Sequence, residues 1–275
     1  MSFLNILFIR LNYMSNKTKT KIKVKSDMFP DFISKLADLT DISDTIKLKI
    51  DNDNVMMYST LGGAVLLAFK NYLIDTNDYF IIDELEYSID VVILNAKKFV
   101  KNLNFLKESD NVVINLTHKS SQDDDNVMVA RTIQITGGKL KINWVAGEHY
   151  EIRDITKDIL NDRLNLRHRK WNFTIYKQDF NDIKKLSSIN GDKLLNINVN
   201  NGKVVISETG AWELDIFDTM DDRNSTMILN KRFLKCIDDS KDIDFSIFEN
   251  FMLIKDNTTN LMLSYEQSFD ESEYE

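Results

Sequence analysis

Apolar and polar positions alternate with a period of two in TKIKVK (Thr20–Lys25), which predicts a strand ending near Ser26. At Met28 the period lengthens. In MFPDFISKLADL, Phe32, Leu36 and Leu39 fall on one helical face with Ile33 beside them, and Pro30 suits the first turn. TIKLKI (Thr45–Ile50), VMMYS and AVLLAF (Ala64–Phe69) read as strands, punctuated by the DND turn at Asp51–Asp53. EYSIDVVI is a strand. It leads into NAKKFVKNLNFLK, where Phe99, Leu103 and Leu106 share a helical face. NVVINL, VMVARTIQI and KLKINW follow as strands, with the polar SSQDDDN (Ser120–Asn126) as a loop.

The second half repeats the pattern. WNFTIY is a strand, and KQDFNDIKKLSS a helix turning Phe180, Ile183 and Leu186 inward. LLNINV, VVISE and AWELDIF are strands, the first two joined by the NNG turn at Asn200–Gly202. STMIL is a strand, NKRFLKCI a helix, and DFSIF, FMLIKD and LMLSYE are strands. The order strand–helix–three strands therefore occurs four times. Helices one and three resemble each other (FISKLADL, FNDIKKLS). So do helices two and four with their preceding strand ends (ILNAKKFVK, ILNKRFLK). This is an internal repeat. It divides the chain into a loose N-terminal extension (1–17), a first domain (18–147), a charged connector (148–170), a second domain (171–267) and an acidic tail (268–275).

Charge sharpens the picture. The chain carries a formal net charge of −8. The helical segments Met28–Leu39, Asn95–Lys107, Lys177–Ser188 and Asn230–Ile237 hold 11 basic and 4 acidic residues, net +7, so the remainder carries −15. Lys97 and Lys101 are four apart, opposite Phe99 and Leu103. Lys231 and Lys235 repeat that spacing opposite Phe233 and Ile237. With Lys98, Arg232, Lys35, Lys184 and Lys185 they form a cationic set on four repeat-related helices. Such a set within an anionic body suits a phosphate backbone, and lysine with little arginine points to charge attraction without base reading.

Other chemistry is not indicated. The apolar run in MSFLNILFIRLNYM is too short for the roughly 20 residues of a membrane-spanning helix and lacks a signal peptide's basic start. A single cysteine, Cys236, fits a reducing, cytoplasmic setting. His118, His149 and His168 have no metal-ligand spacing and read as surface or loop histidines. Asp123–Asp125 read as a solvated loop and Asp218–Asn224 as a turn, while Trp144, Trp171 and Trp212 read as core. No catalytic set, metal or cofactor is expected.

Order, spacing and repeat together resemble the sliding clamps, the DNA polymerase processivity factors of the PCNA and tailed-phage types. ILNAKKFVKNLNFLKESDNVVINL resembles the family's second helix and following strand. FNDIKKLSSINGDKLLNINVNNGKVVISETGAWELDIF resembles the start of its second domain, and ILNKRFLKCIDDSKDIDFSIFENFMLIKDN its end. LKINW is similar to phage clamps in particular. The likeness runs from about Lys19 to Glu266. It implies an α+β DNA-clamp fold: two similar domains, each with two βαβββ units, helices lining a ring and sheets outside. It further implies a homotrimer around double-stranded DNA in a phage- or virus-infected cell, with a DNA polymerase and a clamp loader as partners and no catalysis. By position, the subunit interface falls on Leu140, Ile142 and Trp144 and on Trp212, Leu214 and Ile216. The partner-peptide groove falls on Gly62, Val65, Ile155, Ile159, Leu160, Leu164 and Phe251. A non-catalytic assembly protein built of repeated sheets is the alternative; it would not need lysines on all four helices.

Overall fold

The computed structural model of the chain describes residues 18–62, 66–121, 127–155, 165–189, 193–200, 203–218, 225–255 and 259–265. The first repeat is β1 (Thr18–Val24), α1 (Phe29–Leu39), β2 (Thr45–Ile50), β3 (Asn54–Gly62) and β4 (Leu66–Asp75). A helical turn, Thr76–Tyr79, and a short strand, β5 (Phe80–Ile82), follow; both went unread in the sequence pattern. The second repeat is β6 (Ser88–Leu94), α2 (Ala96–Asn104), β7 (Val112–Ser120), β8 (Val127–Gly137) and β9 (Leu140–Val145). The third is β10 (Trp171–Ile175), α3 (Lys177–Ile189), β11 (Leu194–Asn200), β12 (Lys203–Glu208) and β13 (Trp212–Asp218). The fourth is β14 (Ser225–Asn230), a 3-10 helix (Lys231–Cys236), β15 (Ile243–Ile247), β16 (Phe251–Lys255) and β17 (Thr259–Ser264). The order strand–helix–three strands thus occurs four times, as the periodicities predict.

The chain forms two compact units: residues up to Ser59 with Tyr72–Asp154, and Thr60–Asn71 with Ile155 onward. In the first unit the strands run β3–β2–β6–β8–β7–β1–β5, with β9 also paired to β8. One face of this sheet is apolar and receives α1 and α2, which pack against each other. α1 buries Phe29, Phe32, Ile33, Leu36 and Leu39; α2 buries Ala96, Phe99, Val100 and Leu103. Phe32 meets Phe80 edge-on at 5.5 Å, and Phe99 meets Trp144 at 5.3 Å. Truncating such an aromatic to alanine costs about 3–5 kcal/mol.

The second unit has a four-stranded sheet in the order β13–β12–β11–β14, and β10–β15–β16–β17 with the first half of β4. α3 buries Phe180 and Ile183, and Leu186 is half-buried at the rim of that face. Phe173 stacks between Trp171 and Phe245.

Two expectations are corrected. His118 is neither a surface nor a loop residue. It is buried in β7, bonded to Thr20 Oγ1 at 2.8 Å, and burial lowers its pKa. The fourth helix is 3-10 rather than α. Its six residues end at the Asp238–Ser240 turn, where Ser240 donates its amide to Asp238. With three residues per turn, side chains three apart eclipse. Phe233 with Cys236 and Leu234 with Ile237 are accordingly the buried pairs.

Candidate nucleic-acid interface

Three of the four helical segments that carry the cations are started by residues that precede neighbouring strands. Ahead of α2, Asn95 adopts φ 51°, a left-handed conformation that asparagine tolerates better than most residues. Asp44, just before β2, then takes the Ala96 amide on its backbone oxygen and the Lys97 amide on Oδ1, at 3.0 and 2.7 Å. In the second unit Asp242, just before β15, accepts the Lys177 amide at 2.8 Å and starts α3. In the fourth repeat the Lys193 carbonyl receives the Lys231 amide, and Asn230 Oδ1 receives that of Arg232. One device therefore serves three repeats.

On α2 the result is a bare cationic face. Lys97, Lys98 and Lys101 are exposed opposite Phe99, Val100 and Leu103, and among the described residues none of the three makes an ion pair. The α2 lysines belong to one unit and one helix, and they are the densest set of unneutralised charge among the candidates.

The other candidates are differently placed. Lys35 on α1 is drawn in: its side chain is 17% exposed, it reaches both Asp31 oxygens at 2.6 and 2.8 Å, and it lies over the rings of Tyr72 and Tyr79. Burial pushes the Asp31 carboxyl up, but hydrogen bonds from Lys35 and Tyr79 outweigh it and hold it below its usual range. On α3, Lys184 pairs with Asp239 and Lys185 with Asp182.

In the fourth repeat, Lys231 and Lys235 do not share a face as an α-helix would have placed them. Lys231 turns to Glu208 of β12 at 2.8 Å, and that carboxylate has no exposed side-chain surface. Arg232 and Lys235, three apart, share the exposed edge instead. The short stretch between Asn230 and the Asp238–Ser240 turn is a sequence signal for the 3-10 form, whereas the pairing with Glu208, 23 residues away, has none.

The residues expected at sheet edges do lie on edge strands. Among the described residues, β9 pairs only with β8, and β13 only with β12. Their named side chains mostly face inward: Ile142 and Ile216 are buried, Trp144, Trp212 and Leu214 are half-buried, and Leu140 is exposed. Trp144 Nε1 donates to the Leu94 carbonyl at 3.2 Å. The outward positions are Lys141, Asn143 and Val145 on β9 and Glu213 and Asp215 on β13, all exposed.

Of the groove candidates, Gly62 is exposed, Ile155 is buried, and Phe251 is half-buried and stacked on Phe248 at 4.5 Å. Val65, Ile159, Leu160 and Leu164 lie outside the described residues, as do Asp123–Asp125.

At the level of sequence, no protein-family model and no curated protein matches the chain. The fold does match solved structures. Proliferating cellular nuclear antigen from Entamoeba histolytica superposes with a TM-score of 0.59 at 13% identity, over 90% of this chain and 99% of that one. The DNA polymerase sliding clamp of Bacillus subtilis superposes with a TM-score of 0.62 at 13% identity, over 91% of this chain and 66% of the longer bacterial one. PCNA from A. fulgidus, solved with the C-terminal region of FEN-1, superposes with a TM-score of 0.58 at 7% identity, over 91% and 100%. The fold is that of the sliding clamps. The four repeats described above are the units of the clamp fold, and α1, α2, α3 and the 3-10 segment are its helical elements. Among the described residues no helix is long and apolar enough to cross a membrane.

Proposed function

We propose that this chain is a DNA sliding clamp: a ring-forming processivity factor that encircles duplex DNA, tethers a replicative polymerase and performs no chemistry of its own. The observation that carries this reading is the bare lysine face of α2, Lys97, Lys98 and Lys101, on a clamp fold whose overall charge is −8. In the second unit, Arg232 and Lys235 are the exposed basic residues of the 3-10 segment. Loose lysine contacts to phosphate, many through water, leave the energy flat along the duplex, as sliding requires.

The ring is a homotrimer in this reading, closed head to tail by β9 against β13. Two open edges of that kind invite pairing, and Lys141 on one strand complements Glu213 on the other. The polymerase or loader peptide enters a groove in the region of Gly62, Val65, Ile155, Ile159, Leu160, Leu164 and Phe251. Micromolar binding suffices there, because tethering raises the effective concentration. The likeness of LKINW at Leu140–Trp144 to phage clamps supports a phage replisome as its setting.

The test is retention on circular against linear DNA after loading. The wild type should stay on the circle and run off the linear duplex. The Lys97→Glu/Lys98→Glu/Lys101→Glu variant should be lost from the circle, and faster as salt rises. Equal retention of both proteins overturns the reading.

A further inference from the structure

The face of the first unit's sheet that points away from α1 and α2 carries a charge opposite to that of the chain. Strands β1, β5, β7, β8 and β9 contain six basic residues and no Asp or Glu, in a chain with 43 acidic residues. Strand alternation fixes which of these face outward. On β1, Ile22 and Val24 enter the core, so Lys19, Lys21 and Lys23 stand on the opposite face, and all three are exposed. Their spacing is about 6.7 Å along the strand, two residue rises.

The register carries the face across the sheet. Lys21 lies beside Asn115 of β7, Asn115 beside Gln134 of β8, and Gln134 beside Asn143 of β9. Gln134 donates to Asn143 at 3.1 Å. Among the described residues, Lys19, Lys21 and Lys23 make no ion pair. The lysine ladder is therefore unneutralised; Thr117 and Asn115 lie beside Lys19 and Lys21, and Val113 and Ile81 lie beside Lys23.

We propose that this outer face binds the phosphate backbone of double-stranded DNA, independently of sequence, at a place separate from the α2 lysines. The chemistry selects this occupant. Lysine, threonine, asparagine and glutamine are phosphate-contacting side chains. These strands turn no aromatic side chain outward, so unstacked bases of a single strand find no platform. Of the outward apolar residues, Ile81 and Val113 are separated by Lys23, Val129 is buried, and Val145 stands on the edge strand β9, so an acidic peptide finds no continuous apolar pocket to fix its side chains.

The experiment uses the full-length protein and a short duplex closed at both ends by bulky hairpins. Such a duplex cannot thread a closed ring, so the result does not depend on the ring reading. Binding is followed by fluorescence anisotropy across a salt series. The wild type should bind the blocked duplex, with log K falling linearly against log salt. Lys19→Glu/Lys21→Glu/Lys23→Glu should weaken binding by about tenfold or more at low salt and flatten the slope by about 0.9 for each lost contact. Lys19→Thr/Lys21→Thr/Lys23→Thr, which keeps strand-favouring residues, should act in the same direction with an unchanged melting temperature. The proposal is overturned if the blocked duplex does not bind, or if neither β1 triple weakens binding. It is overturned in favour of an acidic protein segment if a poly-glutamate peptide of matched charge binds more tightly.

Discussion

The ammonium of Lys231 lies 2.8 Å from Oε1 of Glu208, a carboxylate with no exposed side-chain surface. A lysine whose sequence spacing suggests a solvent-facing role is thus the counterion of a buried acid. Removing one partner of such a pair leaves an uncompensated buried charge, which typically costs about 3–5 kcal/mol. Lys231→Ala should therefore lower the unfolding free energy by an amount in that range, read as a shift of the denaturant midpoint to lower concentration. Lys231→Met with Glu208→Leu should recover most of the loss. If Lys231→Ala unfolds at the wild-type denaturant concentration, the pair contributes nothing to the fold.

The lysines of α1 and α2 should separate by function. Lys35 is occupied by Asp31 and covered by two tyrosine rings, so Lys35→Gln should alter stability by about 1 kcal/mol and leave DNA retention unchanged. The α2 lysines should behave the opposite way: little change in melting, and a salt slope for DNA binding reduced by about one per lysine removed. Retention assays and calorimetry on the same two variants check this.

Asp154 sets a pH signature. Its carboxylate bridges Lys47 and Lys49 at 2.8 and 2.7 Å and accepts from Tyr58; Lys47 also reaches Asp90 at 2.7 Å. Burial pushes the Asp154 carboxyl up, but hydrogen bonds and charge from the two lysines outweigh it and bring the pKa to about 2. A depressed carboxyl stabilises the fold fully above its unfolded pKa of about 3.9, and that contribution fades as pH falls toward 2. Asp154→Asn should flatten the stability curve between those two values and leave its shape above pH 5 unchanged. Chemical denaturation at a series of pH values reads it directly.

Subunit assembly can be tested by exchanging charges. Like charges facing each other across paired strands destabilise by about 1 kcal/mol or less per pair. Lys141→Glu alone should shift the assembly toward free chains, and Lys141→Glu with Glu213→Lys should restore it. Light scattering at dilute protein gives the answer, with the wild type at three times 32.0 kDa. A wild-type mass of one chain at all concentrations would remove the head-to-tail trimer.

Periodicity alone revealed the fourfold order of strands and helical segments, because each element buries one face and the apolar spacing records it. It missed Thr76–Tyr79 and β5, which are too short to show a period. It read the fourth segment as α because Phe233 and Ile237 fit four-residue spacing, although Phe233 with Cys236 fits three equally well. For the candidate interface, helix spacing located the α2 lysines. Which lysines are neutralised depends on partners such as Glu208 and Asp239, 23 and 55 residues away, and no local pattern encodes those. The lysine alternation of β1 was visible from the start, but the acid-free strands beside it came together only through register.

Asp44 starts α2 from 53 residues away, and Asp242 starts α3 from 65. Both aspartates sit at the head of a strand that pairs with the one leading into the helix: β2 with β6, β15 with β10. The helix start is therefore completed only when the two strands have zipped together. In kinetic terms, the costly first helical turn waits on closure of a long loop. Helix and sheet signals should rise in a single slow phase during refolding, and a fast helical burst would be absent. Asp44→Ala, at a cost of about 1 kcal/mol, should chiefly speed unfolding if the cap forms after the barrier, and slow folding if it is part of it.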